Sequence, residues 1–388
     1  MPYVTVNQTP IYQQVSLDDI LDGFVDLERF EPIRNAPSST RTVFRPTLPD
    51  EFVDGLHIER MVRALSDFCD KYQALYEVPR HTLYHHFEIP KSTIDPTTGR
   101  PNTRPIDAPL PPLMNALCEL KSIFEIQCGA SYHTAAFAYV PHRCAVDSVR
   151  RHQANKSFWF LKTDFSNFFG STTPAFVKAQ LQTICPFSEM YKYPAGEAAL
   201  DRALDLCFLN GGLPQGTPIS PMLTNLMMIP IDHRLYNTLR DHDGIHYVYT
   251  RYADDICISS KIKFPYEQIV QYINDTLREF HAPFRIKDEK THFGSRNGHN
   301  FWLGVCLNPD NEITIGYKRK MAFRATLAAY IKTRQRGEAF PVHELQAMNG
   351  LLSYFSSVEP DYWKNTIDRY NAKFGINLKR MMRADLNA

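Results

Sequence analysis

Two adjacent carboxylates interrupt a hydrophobic segment in the stretch YTRYADDICIS, residues 249–259. The flanking isoleucines alternate as in a half-buried strand, whereas Asp254 and Asp255 place two like charges within that pattern. Charges in such a position cost free energy unless a counter-charge compensates them, so the pair is a candidate site for chemistry. Adjacent Asp residues are also common in turns, where they cap local backbone, and the pair taken alone leaves that interpretation open.

A third carboxylate follows a second hydrophobic run, in LKTDFSNFF at residues 161–169. Asp164 stands where that run ends, and two strands that end side by side would bring it to Asp254 and Asp255. Three clustered carboxylates repel one another without a counter-charge, and their hard oxygen atoms suit Mg²⁺. Two Mg²⁺ about 4 Å apart can activate a 3′-hydroxyl and stabilise leaving pyrophosphate. The three aspartates therefore predict a site for phosphoryl transfer with two Mg²⁺, for which Mn²⁺ is an alternative.

The segments around these carboxylates mix helical and strand patterns. Apolar residues at helical spacing predict helices at residues 57–77, 111–127, 145–155, 174–184, 199–209 and 266–280, and residues 211–239 are expected to open with a Gly/Pro loop and continue as one long helix. Alternating patterns predict a strand at residues 82–91, a strand running into a turn at residues 158–169 and a hairpin at residues 245–260. Because helices and antiparallel hairpins are interleaved, we expect an α+β fold and not a doubly wound parallel sheet.

The composition is that of an ordinary globular protein, and its 388 residues suit two or three domains. The chain has no apolar run of about 18 residues, and its N-terminus lacks the pattern of a signal peptide. Its 8 cysteines are scattered without a C-x-x-C pair, which argues against a disulfide framework and structural zinc. We therefore expect a cytoplasmic protein with reduced thiols and no membrane contact.

The charges are distributed unevenly, although the net charge is only +1. Residues 316–388 carry 13 Lys and Arg against 6 Asp and Glu, which leaves 30 against 36 in the rest of the chain. A basic C-terminal segment on an acidic body predicts contact with nucleic acid or another polyanion. On charge alone, a solvated helical surface is an equal alternative.

Several motifs in one order make the chain resemble a reverse transcriptase. YADD at residues 252–255 is similar to the signature hairpin of that family, and LKTDFSNFF is similar to its first-aspartate motif. LPQGTPISPMLTNL at residues 213–226 lies between them, and KDEKTHFG and WLGVCLN follow. The resemblance covers roughly residues 80–310. The bacterial retron and defence-associated ("unknown group") enzymes fit best, since they share these motifs and end in a short helical thumb.

Two departures from the retron pattern favour the defence-associated group. The stretch SVRRH, residues 148–152, stands where retron enzymes have Asn-Ala-x-x-His, and Trp302-Leu303-Gly304 stands in place of Val-Thr-Gly. His152 itself has two open interpretations, an RNA contact or a helix cap. Asn225 is likewise open, since it faces either the nucleotide or the palm.

The resemblance implies a right-hand polymerase with four regions. These are an N-terminal arm and helical region at 1–80, fingers at 81–157 (with part of 170–212 as an option), a palm at 158–310 and a basic helical thumb at 311–388. The palm is expected to be an antiparallel sheet with helices covering one side.

The activity that the resemblance implies is RNA-directed DNA synthesis. The enzyme would make cDNA from dNTPs on a dedicated non-coding RNA template in anti-phage defence. A template-independent polymerase, a protein-primed polymerase and a retron enzyme that makes msDNA are alternatives. An operon-encoded effector, a second polymerase and a homo-oligomer are open partner hypotheses.

The resemblance also assigns nucleotide-binding roles. Phe169 matches the aromatic that packs under the sugar and excludes a 2′-hydroxyl. Gln215 matches the residue that touches the incoming nucleotide. Lys91 and Arg104 match the basic residues that clamp the triphosphate, and Arg100 competes with them.

Further roles concern the reacting groups and the primer. Lys290 matches the lysine that protonates leaving pyrophosphate as a general acid. Leu303 and Gly304 match the primer support. The carbonyl of Phe165 is an optional further metal ligand in this prediction, beside the three aspartates. Because strand neighbours point in opposite directions, we expect Asp254 to be the stricter ligand of the adjacent pair.

Overall fold

The computed structural model describes residues 31–32, 44–45, 55–94, 99–298 and 302–387. Most of the predicted N-terminal arm therefore lies outside the described residues. Among the residues that are described, no helix has both the length and the apolar character needed to cross a membrane.

The chain mixes helices and strands in the order that the sequence predicts. The strands are β1 Glu31–Pro32, β2 Phe44–Arg45, β3 Tyr84–Ile94, β4 Pro101–Pro109, β5 Trp159–Asp164, β6 Val248–Tyr252, β7 Asp255–Ser260, β8 His292–Ser295, β9 Cys306–Leu307 and β10 Ile313–Thr314. The α-helices are α1 Gly55–Lys71, α2 Gln73–Tyr76, α3 Pro111–Ser122, α4 Ala145–Ala154, α5 Phe168–Ser171, α6 Pro174–Leu181, α7 Phe187–Met190, α8 Pro194–Asp205, α9 Ser220–Met227, α10 Ile229–Arg240, α11 Tyr266–Glu279, α12 Tyr317–Gln335, α13 Val342–Val358, α14 Pro360–Phe374 and α15 Leu378–Leu386. The α+β fold is confirmed.

A four-stranded antiparallel sheet in the order β6–β7–β5–β8 lies at the centre of the molecule. β5 pairs with β7 from Trp159, opposite Ser260, to Asp164, opposite Asp255. β6 and β7 form the predicted hairpin, in which Tyr252 lies opposite Asp255. Because side chains alternate between the faces, Asp164 and Asp255 lie on the same face of the sheet.

Each face of this sheet packs against helices. Leu161 and Ile258 belong to a large core that includes residues of α9, α10 and α11. On the opposite face, Phe160 and Cys257 join a second core with α4 and the C-terminal helices. The prediction that helices cover only one side is therefore wrong, because α4 lies against the far end of the other face.

His152 of α4 explains how that helix is attached. Its side chain is fully buried, with Nδ1 2.6 Å from the Ser259 hydroxyl and Nε2 2.8 Å from the Thr250 hydroxyl. Both hydroxyls belong to strands of the sheet. His152 therefore neither caps its helix nor reaches the surface, and both interpretations drawn from the sequence are wrong.

The segment at residues 211–239 also differs from its prediction. It forms two helices, α9 and α10, which meet at Met228. Pro230 follows at the start of α10, where its missing N–H is tolerated, although it would interrupt a continuous helix. Residues of both helices belong to the large core that covers the face of the sheet carrying Leu161 and Ile258.

Two further elements flank the central sheet. β3 and β4 form a long hairpin in which Tyr84 lies opposite Pro109. Most residues of this hairpin are exposed. Helices α12 to α15 pack around Tyr330 and Trp363, both fully buried in the second core. The assignment of these elements to fingers and thumb stays a prediction.

Candidate active site

Asp254 and Asp255 lie where β6 turns into β7. Ala253 adopts a left-handed backbone conformation with φ of 57°, which makes this turn tight. The N–H of Phe165 donates to the carbonyl of Asp254 at 3.0 Å, which joins the end of β5 to the turn. The structure thus brings Asp164 to the same end of the sheet as the adjacent pair.

The carboxylates are crowded and partly withdrawn from water. Asp164 is only 3% exposed. Burial raises the pKa of Asp254, and burial together with the charges of Asp254 and Asp164 raises the pKa of Asp255 to about 6. These shifts share one cause, an excess of negative charge in a poorly solvated site. A cation bound there would relieve it.

Lys290 supplies one positive charge to this site. Its ammonium donates to Oδ2 of Asp164. Burial opposes the charged form of Lys290, but this hydrogen bond and the nearby carboxylates raise its pKa overall. The other oxygen of Asp164, Oδ1, is buried and has no hydrogen-bond partner among the described residues.

The residues present fit a divalent metal ion. Oδ1 of Asp164 is buried and has no hydrogen-bond partner among the described residues, so it could coordinate a metal ion. Carboxylate oxygens are the ligands that Mg²⁺ prefers. Within the described part of the chain, however, no group of three His, Cys, Asp or Glu side chains forms a ready metal centre. The carbonyl of Phe165 as a further ligand stays a prediction.

A buried network behind the turn was not predicted from the sequence. Arg251 is fully buried and donates to both carboxylate oxygens of Asp232, with Nη2 2.7 Å from Oδ2 and Nε 2.9 Å from Oδ1. The same guanidinium donates to Asn225 at 3.1 Å and to the carbonyl of Ala253 at 3.0 Å. The hydroxyl of Tyr249 adds a hydrogen bond to Asp232 at 2.7 Å. Arg251 therefore ties the turn that carries Asp254 to α9 and α10.

This network shows that Asn225 faces the protein interior, where its side chain is buried. Its amide nitrogen donates to the carbonyl of Ala138 at 2.8 Å, and its oxygen accepts from Arg251. The sequence did contain a signal for Arg251, since a charged residue occupies a strand position that alternation assigns to the core.

Phe169 and the loop that follows residue 210 are joined through backbone. The carbonyl of Phe169 accepts a hydrogen bond from the N–H of Leu213 at 3.0 Å. Gly212 approaches α5 so closely that a Cβ at that position would lie 2.1 Å from the carbonyl oxygen of Gly170. The half-buried ring of Phe169 packs edge-on against Phe168, with centroids 5.7 Å apart. Phe169 is thus held beside the loop that carries Gln215.

The Gln215 loop in turn contacts the β3–β4 hairpin. The carbonyl of Gln215 accepts a hydrogen bond from the N–H of Asp107 at 2.8 Å. A Cβ on Gly216 would lie 3.0 Å from the carbonyl oxygen of Asp107, so glycine permits the close approach. The side chain of Gln215 is half-buried.

The basic residues of the hairpin differ in their relation to the carboxylates. Arg104 is exposed and lies opposite Ile89. Burial raises the pKa of Asp254, and the charge of Arg104 acts in the opposite direction, which places Arg104 within electrostatic reach. Lys91 is exposed and lies nearer the tip of the hairpin, as does Arg100. The structure thus associates Arg104 with the carboxylates.

Leu303 and Gly304 form a turn between Trp302 and Val305, with φ of 51° and 86°. Arg319 of α12 donates to the carbonyl of Gly304. Leu303 is half-buried and packs against the second core. The turn therefore lies where the central region meets the C-terminal helices, and its contact with a primer stays a prediction.

The fold is that of a right-hand polymerase, in which an antiparallel sheet presents carboxylates at one end. A family model described as reverse transcriptase (RNA-dependent DNA polymerase) matches residues 90–307. Since this match covers more than half of the chain, the protein belongs to the reverse transcriptase family and is an RNA-directed DNA polymerase. Divalent metal is the general cofactor of that family.

The similar proteins include bacterial retron enzymes. Retron Ec73 reverse transcriptase of Escherichia coli is 25% identical over 243 residues, which cover 61% of this chain and 74% of that protein. Retron Ec83 reverse transcriptase of Escherichia coli is 25% identical over 304 residues, 76% of this chain and 88% of that protein. These matches confirm a bacterial reverse transcriptase of the retron type, whereas the preference for the defence-associated group stays a prediction.

A solved structure is also similar. The apo telomerase of Candida Tropicalis, truncated from its C-terminal domain, has a TM-score of 0.41 and 11% sequence identity. The similar region covers 61% of this chain and 55% of that chain.

Proposed function

We propose that this reverse transcriptase copies a dedicated, structured non-coding RNA into cDNA in anti-phage defence. The observation that carries the catalytic part is the pairing of Asp164 with Asp255 beside Asp254, next to Lys290. We assign the metal to the three aspartates as two Mg²⁺, with Mn²⁺ as an alternative. When bound, these ions would favour the attacking 3′-oxyanion and neutralise charge on the leaving pyrophosphate.

The residues of this chain would then divide the remaining tasks. Phe169 excludes the 2′-hydroxyl of a ribonucleotide by its bulk, and the Gln215 loop positions the incoming nucleotide. Arg104 and Lys91 neutralise the triphosphate. Lys290 is protonated because its pKa is raised, and as a general acid it donates this proton to the leaving pyrophosphate.

The template and the biological setting are supported by charge and by similarity. The C-terminal segment has an excess of Lys and Arg that would neutralise nucleic-acid phosphates. The resemblance to defence-associated bacterial enzymes supports the role against phage. All 8 cysteines are free, which supports a cytoplasmic reaction.

A second candidate is a retron enzyme that makes msDNA, favoured by the similarity to the Ec73 and Ec83 enzymes. Template-independent and protein-primed synthesis are further alternatives that the nature of the product distinguishes. An operon-encoded effector, a second polymerase and a homo-oligomer stay hypotheses about partners.

Primer extension tests the catalytic assignment. Purified protein with Mg²⁺, a primed RNA template and dNTPs should incorporate label, and Asp254→Asn should abolish incorporation. Asp243→Asn is the matched control, because Asp243 is an exposed turn residue with φ of 52° that asparagine tolerates. Equal incorporation by wild type and Asp254→Asn would refute the metal site.

The nucleic acid that co-purifies from native cells tests the template. One discrete RNA species supports a dedicated template, whereas a random pool of transcripts contradicts it. DNA joined to RNA after synthesis would indicate the retron product. DNA that stays attached to protein after nuclease treatment would indicate protein priming, and product made without RNA would indicate template-independent synthesis.

A further inference from the structure

A second concave site lies at the outer edge of the central sheet, on β6. It encloses about 350 Å³ between α4, α10 and residues 134–137. Pockets of about 300 Å³ or more hold small molecules, so this one has room for a mononucleotide. Its lining includes none of the residues assigned above to catalysis, nucleotide binding or primer support.

The charge of the pocket favours an anion. Arg151, Arg240 and His246 line it, and none of its lining residues is Asp or Glu. Nε of Arg151 is buried and has no hydrogen-bond partner among the described residues. Burial also lowers the pKa of Arg151, which shows that its positive charge is poorly solvated. A guanidinium in this state gains most from an anionic partner with fixed geometry, such as a phosphate.

The other lining residues favour a base beside that phosphate. Phe137, Tyr236 and Tyr247 place aromatic rings around the same space. Nδ1 of His246 is 2.7 Å from the carbonyl of Arg240, which leaves the opposite nitrogen of the imidazole for a ligand. Aromatic side chains next to arginine are the combination that binds single nucleotides and unpaired bases.

We propose that this pocket binds one nucleotide, with its phosphate on Arg151 and its base among the tyrosines. The nucleotide is either free or an unpaired residue of a bound RNA, since both present the same phosphate and base. The pocket shares strand β6 with the catalytic hairpin, because Thr250 lines it four residues before Asp254. The proposal does not depend on the assignment of the metal ligands.

Binding measured by calorimetry in EDTA tests the pocket apart from catalysis. The two probes are AMP and a short single-stranded RNA oligomer. Wild type is expected to bind at least one of them. The affinity of Arg151→Gln for that probe should be lower by about tenfold or more, because the variant has lost one charged hydrogen bond. Arg150→Gln is the matched control, since Arg150 is the neighbouring residue, pairs with Asp147 and does not line the pocket.

Two further variants make the result decisive. His246→Gln changes an exposed residue and should also weaken binding without affecting folding. Asp254→Asn should bind as wild type does, which separates this pocket from the catalytic site. AMP binding that Arg151→Gln weakens identifies a free nucleotide as the ligand, and RNA binding that Arg151→Gln weakens, without AMP binding, identifies an RNA nucleotide. Binding of neither probe, binding that Arg151→Gln leaves unchanged, or an equal loss in Arg150→Gln overturns the proposal.

Discussion

Arg251 and Asp232 form a fully buried ion pair, 2.7 Å between Nη2 and Oδ2, behind the turn that carries Asp254. The same guanidinium donates to the carbonyl of Ala253, the residue with left-handed backbone that precedes Asp254. A buried pair of this kind contributes little net stability, but it fixes the position of whatever else it bonds. Here it holds the turn against two helices.

Replacing Arg251 separates the stabilising and positioning effects of this pair. Arg251→Met leaves a buried, uncompensated Asp232, and we expect the free energy of unfolding to fall by about 3–5 kcal/mol. The double variant Arg251→Met with Asp232→Leu removes both charges and should recover much of that loss in urea unfolding. Its primer extension should nevertheless need more Mg²⁺, because the carbonyl of Ala253 has lost its donor. Recovery of wild-type Mg²⁺ dependence would show that the pair has no positioning role.

Lys290 should affect both the rate and the metal requirement. Lys290→Met removes the proton donor, and we expect single-nucleotide incorporation to slow by about 10²-fold. It also frees Oδ2 of Asp164, so half-maximal activity should occur at a lower Mg²⁺ concentration. Lys287→Met is the control, since Lys287 pairs with Glu289. A variant with an unchanged rate would exclude Lys290 as the general acid.

Phe169 should control the choice of sugar. Phe169→Ala opens space under the sugar, and we expect the preference for dNTPs over rNTPs to fall by about 10- to 100-fold. Phe169→Tyr keeps the ring and should retain the preference. Steady-state kcat/KM for dATP and rATP on the same primed template measures both. An unchanged ratio in Phe169→Ala would place the gate elsewhere.

Two buried histidines should make the fold sensitive to acid. Burial lowers the pKa of His133 and of His152 from 6.5 to about 3. Below pH 6.5 the unfolded chain binds protons that the folded chain does not bind until about pH 3, so stability is complete above pH 6.5 and falls as the pH falls. At pH 5 each histidine should cost about 2 kcal/mol of the free energy of unfolding.

Urea unfolding at pH 7.5 and pH 5 checks this linkage. His152→Gln should reduce the difference in stability between the two pH values, although it lowers stability at both. His292→Gln, at an exposed position, should leave the difference unchanged. An identical difference in wild type and His152→Gln would show that the acid sensitivity has another origin.

Much of the fold could be predicted because its signals are local. Helices α1, α4 and α11 and the β6–β7 hairpin follow from apolar spacing. The break at Met228 was missed because a proline near a helix start is compatible with either one helix or two. The packing of α4 on the second face of the sheet was not predicted. The apolar pattern of α4 shows that one face of this helix is buried, but it does not identify the element against which that face packs.

The sequence by itself determined the family and the three candidate carboxylates, because motif identity, order and strand ends can be read along the chain. Only the tertiary structure decided how these groups meet. It paired Asp164 with Asp255, placed Lys290 on Asp164 and joined Gln215 to Asp107. It also revealed that Arg251 holds the turn through Asp232. Such contacts join residues far apart in the chain, and their geometry depends on register and packing that no local pattern encodes.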